Sequence, residues 1–207
     1  MKICEVFRSI QGEGKTIGFP TLFIRTSGCN LRCSWCDTTY AMEGGRELSV
    51  QDILELAADE DHICVTGGEP MLQKDCPDLL RALASGGKSV VLETNGSMDL
   101  SAVPSSESIV ISMDIKCPSS GMQDRMLFDN IGLLKKKDQL KFIIADYTDM
   151  SHAIDVMEKY SPRCECIFSP VGGMDLEPLA EDVLGRRLRV RVLPQLHKII
   201  WGNRTGV

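Results

Sequence analysis

The sequence predicts an α/β protein, a single open and partial parallel β/α barrel of about six strands. Three observations carry this prediction. Short apolar segments rich in β-branched residues alternate with longer segments of helical spacing, the pattern of repeated βαβ units around a parallel sheet. No Pro- or Ser-rich tract divides the chain, and 207 residues suit one core at roughly 150 residues per domain. The strand-like segments also fall short of the eight that close a full barrel.

The elements follow in order. The segment "SIQGEG" (9–14) leads into "TLFIRT" (21–26), a β-branched and aromatic run that reads as the first strand. "VQDILELAADE" (50–60) places Ile53, Leu54 and Ala57 on one helical face. "HICVTG" (62–67) is a strand, and "CPDLLRALASGG" (76–87) a helix that ends in glycine. "SVVLET" (89–94) and "SIVISMDI" (108–115) are apolar strands, and "QDRMLFDNIGLLKKK" (123–137) is mostly helical. "QLKFIIA" (139–145), "ECIFSP" (165–170) and "LRVRVLP" (188–194) read as strands, and "DMSHAIDVMEKYS" (149–161) and "LEPLAEDVLG" (176–185) as helices.

In parallel α/β architectures ligands lie beyond the carboxyl ends of the strands. The chemically informative residues gather there: Cys29 after 21–26, Gly67-Gly68-Glu69 after 62–66, Glu93 to Gly96, Asp114-Ile115-Lys116, and Ser169-Pro170. Five strand ends aimed at one mouth argue for an enzyme. The formal net charge of −6, from 23 Lys and Arg against 29 Asp and Glu, makes a phosphate backbone a poor partner, so no nucleic acid is expected. The segment "GRRLRVRVLPQLHK" is locally basic, as a solvated edge or as an anion site. No run of about 18 apolar residues occurs, so no membrane association is expected and a cytoplasmic location is. Nine cysteines, an odd number in a reducing compartment, do not suggest a disulfide framework.

Metal binding is the leading reading for the clustered cysteines of "GCNLRCSWCDTTY" (28–40). A structural zinc site wants four closed ligands, and Cys29, Cys33 and Cys36 supply three. Cys164 and Cys166 could complete a site, but they and Cys4, Cys64, Cys76 and Cys117 read equally as small buried hydrophobes. A 4Fe–4S cluster fits three thiolates, because its fourth iron is left for a ligand from outside the protein.

The spacing CxxxCxxC, with Trp35 before the last cysteine and "TGGEP" at the next strand end, resembles the radical S-adenosylmethionine (SAM) superfamily. Four further segments, "SIQGEG", "FIRTSGCNLRCSWCDTTY", "ETNG" and "QLHKIIWGNRTGV", resemble the 7-carboxy-7-deazaguanine synthase family over the chain from Ile10 to Val207. That resemblance implies a lyase of queuosine and 7-deazapurine biosynthesis. It would convert 6-carboxy-5,6,7,8-tetrahydropterin to 7-carboxy-7-deazaguanine, with ring contraction and loss of ammonia. The implied cofactors are a 4Fe–4S cluster, SAM and Mg2+; the implied partners are an electron donor such as flavodoxin or ferredoxin and a second copy in a homodimer.

Carried over residue by residue, the resemblance implies cluster ligands at Cys29, Cys33 and Cys36 and a magnesium ligand at Thr38. It implies SAM contacts at Trp35, Cys36, Asp37, Gly68, Asp114, Ile115, Lys116 and Ser169, and substrate contacts at Ile10, Gln11, Gly12, Arg25, Thr66 and Val207. The residue types suit these roles. Arg25 offers a permanently charged fork to a carboxylate, and magnesium prefers oxygen ligands such as the Thr38 hydroxyl. Asp37 reads equally as a loop-orienting residue, Glu13 as a solvated or capping residue, and His197 as a structural histidine. "DIK" at 114–116 departs from the Ser-Pro-Lys associated with the family: Lys116 is retained, and Asp114 adds a negative charge. Two rival readings stand beside this one, a glycyl-radical-enzyme activase and a non-catalytic zinc or iron–sulfur module.

Overall fold

The first strand lies earlier than the sequence suggests. β1 (Lys2–Ile10) pairs antiparallel with β2 (Pro20–Thr26), with Phe7 opposite Phe23 and Glu5 opposite Arg25. Lys2, Glu5 and Arg8 interrupt its apolar pattern, and a register shift between Ile3 and Glu5 breaks the alternation that would announce it. The computed structural model describes residues 1–207. Its single nine-stranded sheet runs β3-β1-β2-β4-β5-β6-β7-β8-β9. Here β3 is Arg46–Glu47, β4 His62–Gly67, β5 Ser89–Thr94, β6 Ile109–Ile115, β7 Gln139–Ile144, β8 Glu165–Pro170 and β9 Arg191–Val192. From β2 through β9 every pairing is parallel, and β3 does not pair with β9, so the barrel is open. The six parallel strands of six or seven residues, β2 and β4 to β8, are those expected.

The helices α1 (Val50–Leu56), α2 (Cys76–Ser85), α3 (Tyr147–Tyr160) and α4 (Glu177–Gly185) cover one face of this sheet. Alternation along each strand decides which side chains meet them. Ile24, Ile63, Val65 and Leu92 join Ile53, Leu79, Leu80 and Leu83 of the first two helices. Leu140, Phe142 and Phe168 join Met150, Ala153, Leu179 and Val183 of the next two. Each fully buried leucine of α2 stabilises the fold by about 2 kcal/mol. A capping box between Ser49 and Asp52 starts α1, and the Asp146 side chain accepts from the Asp149 N–H at the start of α3.

Two expectations are corrected, and one element is added. The segment 123–137 is not mostly helical: it forms two short 3-10 turns, Gln123–Arg125 and Phe128–Leu133. Buried Asn130 ties that chain sideways, donating to the carbonyls of Gly96 and Met98 and accepting from the Leu100 N–H, which competes with a regular helix. The last strand shrinks from 188–194 to Arg191–Val192. After it comes a short helix α5 (Leu196–Trp201), whose six residues are too few to show helical periodicity.

Candidate active site

The sheet face turned away from α1–α4, with the loops around it, lines a cavity of about 450 Å³, a size usual for small-molecule sites. Alternation delivers Phe7, Arg25, Thr66, Glu93, Asp114 and Lys141 from β1, β2, β4, β5, β6 and β7. Of the five expected strand ends, those of β2, β4, β5 and β6 contribute; Ser169 of β8 does not line the cavity, and Lys141 and Ile143 of β7 do.

The cysteine loop follows β2. Cys29, Cys33 and Cys36 are free, half-buried thiols on the cavity wall. Backbone bonds from Gly28 to Ala41 (2.8 Å), Glu69 to Gly28 (2.8 Å) and Cys36 to Cys33 (3.2 Å) fix the loop. The Leu31 N–H and the Asn95 amide donate to Cys29 Sγ at 3.4 and 3.7 Å, the kind of contact that orients and tunes a metal-bound thiolate. No three His, Cys, Asp or Glu side chains are grouped around a single-ion position, whereas a cubane takes each thiolate on a different iron. This donor set fits a cluster with one iron left for an external ligand.

Next to the cysteines, the end of β4 is stripped of side chains for a packing reason. A Cβ on Gly67 would overlap the backbone and hydroxyl of Thr26, and one on Gly68 would overlap the Gly28 carbonyl and come within 2.8 Å of Cys29 Cβ. Glu69 is fully buried and accepts from the Thr94 hydroxyl (2.9 Å) and the N–H groups of Asn95 (2.7 Å) and Met71 (3.0 Å). Burial pushes its carboxyl up, against those hydrogen bonds. It bolts the ends of β4 and β5 together behind the site.

Trp35 is held from outside the loop. Its indole N–H donates to Ser119 Oγ at 3.1 Å, and Ser119 donates to Asp149 Oδ2 at 2.5 Å. Asp149 is itself fully buried at the start of α3 and also accepts from the N–H groups of Ser119 and Ala145. The Lys116 ammonium stands 5.6 Å from the Trp35 ring centre. Ser119→Ala is expected to loosen this ring. In a Trp201→Phe background, which leaves Trp35 alone of the two tryptophans, its emission should move to longer wavelength. Unchanged emission would mean that other contacts hold the indole.

The 10–14 segment crosses to the opposite side of the cavity, and its glycines have specific neighbours. Gly12 packs under the His197 imidazole and Gly14, at φ 73°, against the Gln139 amide. Between them Glu13 turns inward to Lys141 and accepts from Gln195 Nε2 at 2.6 Å. Lys141 also lies 3.2 Å from Asp114 Oδ1, and Asp114 Oδ2 accepts from Lys116 at 2.9 Å. Burial by itself would raise the Asp114 carboxyl, but the two ammonium groups hold it at about 2. Burial would lower Lys141; Asp114 and Glu13 outweigh it and raise that group well above the usual lysine range.

On the β1–β2 wall, Arg25 Nε donates to Glu5 Oε1 at 2.8 Å, and the Tyr40 hydroxyl reaches the same oxygen at 2.9 Å. The guanidinium lies 5.7 Å from the Phe7 ring centre and 6.0 Å from that of Tyr40. Its terminal nitrogens make no hydrogen bond within the protein, so the open edge of the fork is available to an anion. Beside it, the Thr66 hydroxyl and the Gln11 amide donate to the two oxygens of Glu93 at 2.9 and 3.3 Å.

The structure therefore brings Ile10, Gln11, Gly12, Arg25, Thr66 and Val207 into one cavity with the three cysteines, Trp35, Asp37, Thr38, Gly68, Asp114 and Lys116. Ile115 and Ser169 are not on its lining: Ile115 is fully buried against the helix layer, and Ser169 is buried within the sheet. Asp37 pairs with Lys198 at 3.4 Å. The Thr38 hydroxyl makes a single side-chain hydrogen bond, with Cys36 Sγ at 3.8 Å, leaving an oxygen that suits a hard cation. Glu5, Lys141 and Gln195 also belong to the site without a sequence motif that marks them, and Glu93, informative by its strand end, gains a place in the site. The inward alternation of β7 could have revealed Lys141.

Residues 23–126 match the Radical SAM superfamily. The chain is 43% identical over 209 residues to the 7-carboxy-7-deazaguanine synthase of Thermoplasma acidophilum, covering all of both chains. It is 43% identical over 206 residues to the enzyme of that name from Methanospirillum hungatei, covering 97% of this chain and 85% of the other. Its fold is similar to the crystal structure of QueE from Escherichia coli, with a TM-score of 0.75, 23% identity and 93% of each chain covered.

Proposed function

The chain belongs to the radical SAM superfamily and, within it, to the 7-carboxy-7-deazaguanine synthases, and from that premise we propose how its own residues serve the reaction. It is a lyase that makes 7-carboxy-7-deazaguanine from 6-carboxy-5,6,7,8-tetrahydropterin, with ring contraction and loss of ammonia, using a 4Fe–4S cluster and SAM. The observation that carries the assignment of roles is the meeting, in one cavity, of the three-cysteine loop with the Arg25–Thr66 wall.

Cys29, Cys33 and Cys36 would hold three irons of the cluster and leave the fourth to the amino acid end of SAM. When bound, the cluster and SAM supply the one-electron cleavage that creates a hydrogen-abstracting carbon radical. Gly67 and Gly68 leave backbone bare and would receive the methionine amino group, Lys116 would pair with its carboxylate, and Trp35 and Asp37 would flank the remainder. Across the cavity Arg25 binds the pterin carboxylate with its open N–H edge. Gln11, Thr66 and the backbone of Ile10 and Gly12 meet the polar ring edge, and Val207 lies at the rim of the site. Position and electrostatics are the protein's contribution.

Three finer assignments complete the reading. Thr38 would ligate Mg2+ together with substrate oxygens, a shell that suits a hard cation keeping several waters. Flavodoxin or ferredoxin would deliver the electron to a homodimer. The nine free cysteines suit a reducing cytoplasm; no helix is long and apolar enough to cross a membrane.

The test is anaerobic reconstitution followed by incubation with reductant, SAM, Mg2+ and carboxytetrahydropterin. The expected product is 7-carboxy-7-deazaguanine, identified by mass; SAM cleavage that requires a polypeptide instead would favour the activase reading. Thr38→Ala should raise the magnesium needed for half-maximal turnover by about tenfold, and an unchanged requirement removes Thr38 from that role.

A further inference from the structure

We propose that Asp114 and Lys141 couple the two halves of the cavity, so that SAM and the pterin each raise the protein's affinity for the other. The inference rests on the reading above in placing SAM at Lys116 and the pterin at the 10–12 segment, beside Glu13. Its basis is a continuous ladder of alternating charge across the cavity: Lys116, Asp114, Lys141, Glu13. Trp35 stands at one end, 5.6 Å from Lys116, and Gln195 at the other, 2.6 Å from Glu13. Asp114 and Lys141 are direct partners in the β6–β7 register, so the sheet itself sets their spacing.

The four charged side chains are 6% to 23% exposed. Their charges balance at zero, and in such surroundings a change at one member is felt by the next. One joint is looser than the others. Asp114 Oδ2 is hydrogen-bonded to Lys116, but Asp114 Oδ1, 3.2 Å from Lys141, is buried without an aligned hydrogen bond. The ladder in this structure thus leans toward Lys116.

A carboxylate arriving at Lys116 competes with Asp114 for that ammonium. Asp114 then leans on Lys141 through its under-used oxygen. Lys141 in turn loosens its hold on Glu13, whose carboxylate gains capacity for the N–H donors of a pterin ring. Run from the other end, donors that engage Glu13 release Lys141 to Asp114 and free Lys116 for the SAM carboxylate. Coupling between two sites is reciprocal. A ligand shifts the ladder only by its differential interaction with the two arrangements.

The experiment is a binding cycle on holoenzyme with its cluster left oxidised, so that no turnover occurs. SAM and carboxytetrahydropterin affinities are each measured alone and in the presence of the other by anaerobic equilibrium dialysis. Wild type should show the same mutual enhancement from either direction, between about 5-fold and 150-fold. Asp114→Asn should bring the factor close to one, while SAM alone binds at least as tightly because Lys116 is released. The charge-balanced Asp114→Asn/Lys141→Gln double variant guards against misfolding of the single one and should also give a factor near one. A wild-type factor of one, or a wild-type factor retained in a folded variant, overturns the coupling. A purely structural role would weaken both ligands and leave the factor intact. Failure of wild type to bind either ligand would count against the assigned function, not against the ladder alone.

Discussion

Gly68→Ala is expected to cost the protein its iron while leaving its fold. The added methyl would overlap the Gly28 carbonyl and sit 2.8 Å from Cys29 Cβ. Neither neighbour can give way by changing rotamer. Gly28 is anchored by backbone bonds on both its N–H and its carbonyl, at 2.8 Å each, and under the proposed assignment Cys29 must keep its place as the first cluster thiolate. Overpacking of this kind costs about 1–3 kcal/mol, and here the cysteine loop is the part able to yield. Reconstituted Gly68→Ala should hold at most about a tenth of the wild-type iron, the ratio that corresponds to roughly 1.4 kcal/mol. Its far-ultraviolet circular dichroism should be unchanged. Gly132→Ala is the control, since a Cβ there meets nothing within 4 Å. Full iron in Gly68→Ala would show that the loop accommodates the methyl and that Gly68 is not needed for close packing.

Arg25→Lys should raise the KM for the pterin by roughly a hundredfold, the scale of losing a buried charge-assisted pair, and leave SAM affinity within about twofold. The substitution keeps the charge and removes the fork. Glu5 holds Arg25 by Nε at 2.8 Å, with Tyr40 braced on the same oxygen, so the guanidinium is presented edge-on. A lysine ammonium would instead be drawn onto Glu5 as a point charge. Steady-state kinetics with varied pterin, and separate SAM binding, distinguish this from a general loss of structure. Equal losses for both ligands would contradict the assignment of Arg25 to the substrate carboxylate.

Much of this site is legible in the primary structure because its logic is local. The spacing of Cys29, Cys33 and Cys36 needs only one loop, and the apolar strand runs need only the period of a sheet buried on both faces. The glycines of 67–68 read as a close backbone approach before their neighbours are known. Other features were hidden because they depend on partners far along the chain. β1 is not legible locally because a charged, bulged strand becomes plausible only beside β2. The 123–137 segment has helical spacing, and the bonds from Asn130 to the 96–100 loop, distant in sequence, divert it. Ile115 and Ser169 lay at informative strand ends, yet they fall outside the cavity lining, with Ile115 turned toward the helix layer. For Ile115 that outcome follows from a register whose phase no single segment states.

Glu13 and Asp114 show the division most clearly. By sequence the first was a loop carboxylate of uncertain use and the second an added negative charge beside Lys116. Across 128 positions of chain, Glu13 meets Lys141, and Lys141 meets Asp114 through the pairing of β6 with β7. The sequence by itself determined the cofactor chemistry, since thiol number, spacing and a bare strand end are properties of contiguous residues. Only the tertiary structure decided how the charges around that chemistry are shared. The protonation and reach of a buried ion depend on which opposite charge the fold sets beside it.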